Sequence, residues 1–230
     1  MRINWELPLP PTGFETELAD GSAVRVRPIR PDDAPALKAA FEGLSDRSRY
    51  LRFFSYRKEL GDQMLKDYTD IDHHLHRAWV VADPSEPSAV GTDEGLGIGV
   101  ARLFATEQDP TVAEATVVVI DEYQRRGVGR LLLDLLASTA ALWGVERIRF
   151  ETLWENRGLR RLMGKIGATR NEALSDREVI VYEIPVKAES GDITAGALYE
   201  ILRWAAADRE EPGSDREEPG SDREDSGEAE

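Results

Sequence analysis

The fold of this protein is decided by the stretch Glu114–Arg130, EATVVVIDEYQRRGVGR, in which a strand leads into a helix. Its run of valines is typical of a buried strand, and the leucine-rich segment Val128–Trp143 predicts a long amphipathic helix. Between them, Gly127 and Gly129 lack side chains, so the backbone can approach a ligand closely. The free N–H groups and partial positive charge at the start of a helix favour a phosphate there.

The same turn carries three arginines, Arg125, Arg126 and Arg130. Their charge strengthens the prediction of a loop that holds a diphosphate. A glycine-containing turn with solvated arginines is the alternative that spacing alone leaves open. Two other phosphate loops are excluded, because the sequence has no G-x-x-x-x-G-K-[ST] motif and the glycines of Gly95–Gly99 lead into a strand.

Strand and helix patterns alternate on both sides of this stretch. Upstream, the sequence predicts strand Ala23–Ile29, then helices Pro31–Phe41, Ser45–Phe54 and Asp62–Tyr68, then strands Arg77–Ala82, Gly97–Ala105 and Thr111–Ile120. Downstream, it predicts strand Arg147–Thr152, helix Arg157–Ile166 and strand Val179–Pro185. This order is typical of an α+β domain with a mixed sheet.

Four segments divide the chain. Residues 1–21 are expected to be an N-terminal extension, 22–186 the α+β domain, 187–207 a C-terminal helix and 208–230 a disordered tail. The tail is a near-repeat, DREEPGS, DREEPGS, DREDSGE, with eleven acidic and three basic residues. We expect it to keep the protein soluble, and a specific docking function is the alternative.

Composition restricts the class of protein. No stretch approaches the roughly 20 apolar residues that span a bilayer, and no signal-peptide pattern opens the chain, so we expect a cytoplasmic protein without a membrane partner. The net charge of −15 argues against a nucleic-acid partner. The absence of cysteine excludes disulfides and cysteine-ligated zinc. His73, His74 and His76 lie near Asp70 and Asp72, but adjacent histidines point in different directions, so no metal is predicted.

The segment Gln124–Gly129, QRRGVG, resembles the Q/R-x-x-G-x-G/A signature of the GNAT (Gcn5-related) N-acetyltransferases. The resemblance extends through the element order from 22 to 186. It implies the GNAT fold, a central, mixed, mostly antiparallel sheet flanked by helices, with acetyl-CoA as co-substrate and no metal. It also implies that Gln124, Arg125, Arg126, Gly127, Val128, Gly129 and Arg130 hold the pyrophosphate, that Val117 and Val119 pair with the pantetheine arm, and that Asn156 lies near the cofactor.

Two upstream segments, Arg27–Asp33 and Leu44–Phe54, together with Asp70–His73, are similar to the catalytic domain of the bacterial Pat-type protein lysine acetyltransferases. This narrower resemblance implies a protein lysine as acceptor, with an acyl-CoA synthetase as a candidate partner. Leu44–Phe54 is also an amphipathic helix that would wall the acceptor side. Its arginines, Arg47, Arg49 and Arg52, are expected to form a solvated face, or to meet an acidic protein partner.

Glu114 is the candidate general base. An amine is protonated at neutral pH and must lose a proton before it attacks a thioester. A carboxylate within an apolar run is costly unless it lines a wet cleft or finds a partner, and a solvent-facing or ion-paired glutamate is the alternative. Pat-type enzymes similarly have a glutamate here. Met163 stands where many GNAT enzymes have a tyrosine acid, so no acid is assigned.

The predicted function is therefore transfer of an acetyl group from acetyl-CoA to an amine, in a ternary complex, with a protein lysine as the leading acceptor. Two alternatives stay open. One is acetylation of a small amine or antibiotic. The other is a non-catalytic module that senses acyl-CoA.

Overall fold

The computed structural model describes residues 13–105 and 109–186. The predicted helix at 187–207 and the predicted tail at 208–230 lie outside the described residues, as does most of the predicted N-terminal extension.

Eight described strands form one sheet. They are β1 (Phe14–Glu17), β2 (Ala23–Pro28), β3 (His76–Asp83), β4 (Leu96–Ala105), β5 (Val112–Val119), β6 (Arg147–Leu153), β7 (Thr169–Arg170) and β8 (Val179–Pro185). Their order across the sheet is β1-β2-β3-β4-β5-β6-β8-β7. Among these described strands, β5 and β6 alone are parallel neighbours, and every other pair is antiparallel. The predicted fold class, a mixed and mostly antiparallel sheet flanked by helices, is confirmed.

Helices cover both faces of the sheet. On one face lie α1 (Ala34–Gly43), α2 (Asp46–Phe53) and α3 (Asp62–Thr69), and on the other lie α4 (Val128–Trp143) and α5 (Arg157–Lys165). The pleat of β5 separates the two layers, because Ala113 and Ala115 pack in the α4 core whereas Val118 packs with the α1–α3 cluster. None of the described helices has the length and apolar character needed to cross a bilayer.

Helix α4 is the central element of the larger core. Its buried positions include Val128, Leu132, Leu135 and Leu136, which pack against β3, β4 and β5. The helix ends at Gly144, whose φ of 79° is the left-handed conformation that glycine adopts most readily. The apolar face of α4 that the sequence predicts is therefore the face that packs against the sheet.

Every strand and helix predicted between residues 22 and 186 is present, with small shifts at the ends. The first predicted helix begins as a 3-10 turn, Pro31–Asp33, and continues as α1. Two strands were not predicted. β1 pairs with β2 at the edge of the sheet, within the segment assigned to the N-terminal extension, and the two-residue β7 pairs with β8.

Asp72 organises the turn that leads into β3, where the histidines lie. The carboxylate of Asp72 accepts hydrogen bonds from the amides of His74 and His76, at 2.8 and 3.1 Å. The His76 ring stacks on Phe104 with 4.2 Å between centroids. Burial and then the charge of Arg102 lower the pKa of His76 to about 4. Within the described ranges, no three metal-ligating side chains are grouped closely enough to hold an ion.

A buried hydrogen bond joins β3 to α4, and replacing Thr139 by valine tests its contribution. The Trp79 indole N–H donates to Thr139 Oγ1 at 2.8 Å, and both residues are fully buried. Valine keeps the shape but leaves the indole N–H unpaired, so Thr139→Val should lower the free energy of unfolding by about 1–3 kcal/mol. Urea denaturation measures this. Thr139→Ser, which keeps the hydroxyl, should lose less, and equal losses in the two variants would contradict the assignment.

The His76 environment predicts how stability depends on pH. The ordinary pKa of histidine is 6.5, so between about pH 6.5 and 4 the unfolded chain takes up a proton that folded His76 does not. This contribution is fully present above pH 6.5 and is lost as the pH falls. His76→Gln should therefore lose less stability than the wild type between pH 7 and 4.5, as measured by urea unfolding. His74→Gln, at an exposed position in the same turn, should follow the wild type, and parallel curves for wild type and His76→Gln would contradict the prediction.

Candidate active site

The two parallel strands β5 and β6 separate soon after they begin. They pair through Val112, Ala113 and Glu114, opposite residues 147–149. Beyond that point β5 pairs with β4 and β6 pairs with β8. Residues 115–119 therefore have one backbone edge facing a gap between the strands. An unpaired strand edge of this kind can hydrogen-bond an extended ligand.

Val117 and Val119 lie on this open part of β5. Their side chains pack against the α4 core, while Val118 points to the opposite face. The carbonyl of Val119 accepts a hydrogen bond from the Gln124 side-chain amide at 3.3 Å. Gln124 thus joins the open strand to the turn that follows it.

The turn after β5 is fixed by Tyr123. Its hydroxyl donates to the carboxylate of Asp83 at 2.9 Å, and burial followed by this hydrogen bond raises the pKa of Tyr123 to about 12. The guanidinium of Arg126 lies over the Tyr123 ring, 4.5 Å from its centroid. These contacts hold the beginning of the glycine loop, which we define as Gln124–Gly129, against β3.

The backbone of the glycine loop turns its amides outward. Arg125 has φ of 66° and Gly127 has φ of 102°, both in the left-handed region. The amides of residues 125–129 donate to no acceptor among the described residues. Since the loop leads directly into α4, these amides and the helix N-terminus form a group of free donors next to the open end of β5. This arrangement suits a phosphate or diphosphate.

The three arginines predicted at this turn have different surroundings. Arg125 is exposed, whereas Arg126 contacts Asp20 at 3.6 Å and Arg130 pairs with Asp134 at 3.0 Å. The last pair joins consecutive turns of α4, and Asp134 is buried. Of the three, Arg125 is the exposed residue at the loop and makes no ion pair with the described residues.

Asp121 connects the loop to α2, a contact that sequence reasoning missed. Its carboxylate accepts from the amide and hydroxyl of Ser45 at 3.0 and 2.9 Å, and from the hydroxyl of Ser48 at 2.7 Å. Partial burial raises the pKa of Asp121, but these hydrogen bonds outweigh it and lower the pKa overall. Ser45 also caps α2, so the turn after β5 positions the start of this helix.

Glu114 lies where the two strands begin to separate. It is opposite Phe104 of β4 and Arg149 of β6, and it points to the α1–α3 face of the sheet. Its side chain is exposed and makes no hydrogen bond or ion pair with the described residues. An accessible carboxylate in this position is able to accept a proton. Two residues along the same face, Thr116 accepts a hydrogen bond from Arg52 at 3.2 Å.

Asn156 and Met163 belong to α5, beyond the open end of β6. The side-chain oxygen of Asn156 accepts from the Leu159 amide at 3.1 Å and caps the helix. Met163 is 0% exposed and packs in the α4 core, so this position supplies no proton donor to the gap. Gly129 lies beside α5, since a side chain there would meet Leu162.

Comparison with known proteins identifies the family. The acetyltransferase (GNAT) domain model matches residues 23–169. The acetyltransferase Pat of Mycolicibacterium smegmatis is 28% identical over 177 residues, which cover 76% of this chain and 49% of the relative. This chain therefore spans about half the length of that relative.

Solved structures share the architecture. The GNAT domain of Streptomyces (S. lividans) PAT superposes with a TM-score of 0.66 at 27% identity, covering 75% of this chain and 96% of that one. The spermidine N-acetyltransferase of Vibrio cholerae, solved with CoA and spermine, has a TM-score of 0.56 at 16% identity, covering 71% and 95%, and shows the fold alone. The separated strands, the glycine loop and the family match agree: this chain belongs to the GNAT acetyltransferase domain family and is similar to its Pat-type members.

Proposed function

We propose that this protein is an acetyl-CoA-dependent N-acetyltransferase of the cytoplasm. The observation that carries the proposal is the gap between β5 and β6, which ends at the free amides of residues 125–129. A pantetheine arm would hydrogen-bond the open edge at Val117 and Val119, and the pyrophosphate would accept from the glycine-loop amides. Arg125 would add charge at the diphosphate, and Asn156 would lie near the cofactor on the β6 side.

In the proposed reaction, Glu114 is the general base. The carboxylate takes a proton from the ammonium form of the acceptor, directly or through a water. The neutral nitrogen then attacks the thioester carbon, the bond from that carbon to sulfur breaks, and CoA leaves as a thiolate. The extra proton on the new amide nitrogen passes to this thiolate, directly or through water, which gives the neutral amide and the CoA thiol. Backbone amides of the open strand near Val119 would stabilise the negative charge that develops on the thioester oxygen.

The leading acceptor is a lysine side chain of a protein, with an acyl-CoA synthetase as the candidate partner. The similarity to the Pat-type relatives and the exposed position of Glu114 support it, because a protein substrate needs a base that is accessible from outside. A small amine is the second candidate, since the Vibrio cholerae neighbour in the same fold was solved with spermine.

Replacing Gly127 tests the cofactor site. A β-branched side chain is strained at φ of 102°, by roughly 1–2 kcal/mol, and would rearrange the amides of the loop. Gly127→Val should therefore weaken CoA binding at least tenfold by isothermal titration calorimetry. Gly164→Ala in α5 is the control, because a side chain there meets nothing within 4 Å, and it should bind CoA like the wild type. Unchanged affinity in a folded Gly127→Val variant would contradict the cofactor site.

Replacing Glu114 by glutamine tests the general base. Loss of a positioned base costs roughly 10²–10⁴-fold in rate, so kcat should fall by that range while the Kd for CoA stays unchanged. A thiol-release assay with a protein panel and a small-amine panel measures kcat and identifies the acceptor class. Glu15→Gln, at an exposed position of β1 on the far edge of the sheet, should keep full activity.

Glu151 of β6 is a second exposed carboxylate that points to the same face as Glu114. If Glu151→Gln lost activity and Glu114→Gln kept it, Glu151 would be the base and the assignment to Glu114 would be wrong. Tight CoA binding by the wild type, without turnover of any acceptor, would indicate the acyl-CoA sensor instead of an enzyme.

A further inference from the structure

A small cavity lies between the sheet and the helices α1, α2 and α3. Its volume is about 90 Å³. Most of its wall is apolar, and the apolar lining includes Leu37, Phe41, Phe53, Val100, Val118 and Ile120. Val118 and Ile120 flank Val119 on the open part of β5, so the cavity approaches the proposed reaction centre from the face that Glu114 shares.

Two arginines, Arg52 of α2 and Arg102 of β4, also line this cavity. Arg102 is 3% exposed; it donates to the carbonyl of Tyr68 at 2.7 Å and its guanidinium lies over the Tyr68 ring. Its Nη2 has no hydrogen-bond partner in the described part of the chain. Arg47, Arg49 and Arg52 were expected to form a solvated helix face. That expectation is wrong for Arg52, which reaches inward to Thr116, and for Arg49, whose guanidinium donates to the carbonyls of Leu44 and Glu42.

No carboxylate of the described residues forms an ion pair with Arg52 or Arg102. Asp33 also lines the cavity, but both of its oxygens accept from Arg27 at 2.7 Å. The ring of His76, which lies beside Arg102, carries no negative charge that could compensate the arginine. Burial lowers the pKa of Arg52, and burial followed by the charge of Arg52 lowers the pKa of Arg102 to about 10. Holding two like charges together out of water is costly unless an anion compensates them.

We propose that this arginine cavity binds a carboxylate carried by one of the two substrates. A guanidinium offers paired N–H donors that match the two oxygens of a carboxylate, and the apolar wall suits the short methylene chain that would connect it to the reacting group. The carboxylate belongs either to the acyl chain of the donor or to the amine acceptor. This inference rests on the proposed function, since the reacting group would lie at the gap beside Val119.

Direct binding tests the cavity without turnover. Succinate should raise the melting temperature of the full-length protein, and succinamide, its uncharged analogue, should not. A charge-assisted hydrogen bond contributes roughly tenfold or more in affinity, so Arg102→Met should weaken succinate binding at least tenfold in calorimetry. Arg52→Met, at the less buried position, should also weaken succinate binding at least tenfold. It provides the test if Arg102→Met does not fold. Arg47→Met, on the exposed side of α2, should bind succinate like the wild type.

Turnover then identifies the source of the carboxylate. In one arm succinyl-CoA is compared with acetyl-CoA, and in the other 4-aminobutyrate is compared with butylamine. The carboxylate-bearing member of one arm should have a kcat/KM at least tenfold higher, and Arg102→Met or Arg52→Met should abolish that preference while Arg47→Met keeps it.

The outcomes separate this inference from the proposed function. One outcome is succinate binding that depends on Arg102 or Arg52, without turnover of the substrates in either arm. It would support the proposal that the cavity binds a carboxylate and contradict the proposed enzymatic function. Turnover without any response to succinate, and without a carboxylate preference in either arm, would overturn the cavity proposal and leave the enzyme in place.

Discussion

The site depends on one constraint in the backbone: β5 and β6 stop pairing after Glu114. In a continuous parallel pair, the amides and carbonyls of residues 115, 117 and 119, which point away from β4, would be used by the neighbouring strand. Here they face a gap, while β4 on the other side holds β5 in register. One edge of β5 is therefore hydrogen-bonded to β4 and the other edge is unpaired. This is the arrangement needed to hold an extended ligand in a fixed position.

The surrounding helices keep this gap open and position the groups beside it. α4 and α5 pack together on one face, where the small Gly129 lies next to Leu162. On the other face, Asp121 draws the start of α2 to the turn after β5 through Ser45 and Ser48. As a result, the turn that begins the glycine loop also positions the helix that carries Arg52. The hydrogen bonds that Ser45 and Ser48 donate to Asp121 therefore connect the proposed phosphate-binding turn to the helix beside Glu114.

The sequence predicted most of this architecture, because its signals are local. The glycine spacing and the leucine stripe place the loop and α4, and the order of elements gives the fold class. It did not predict β1, whose four residues are too short for a clear alternation, nor β7, which has two residues. The separation of β5 from β6 also has no local signal, since it depends on the pairing of β6 with β8.

The side chains that line the acceptor side were harder to predict. Arg52 stands in a helix with two other arginines, and helical spacing alone does not show which of them turns toward the sheet. Arg102 lies within a strand, where a single charge gives no indication of its partner. Glu114 could be selected because it interrupts an apolar run, and the structure places it exposed at the mouth of the gap.

We infer that the gap between β5 and β6 is the acetyl-CoA site. A crystal structure of the full chain with CoA tests this most directly. We expect the pyrophosphate on the amides of residues 125–129 and the pantetheine arm hydrogen-bonded to the backbone of Val117 and Val119. CoA bound elsewhere on the protein, with β5 and β6 closed against each other, would contradict it.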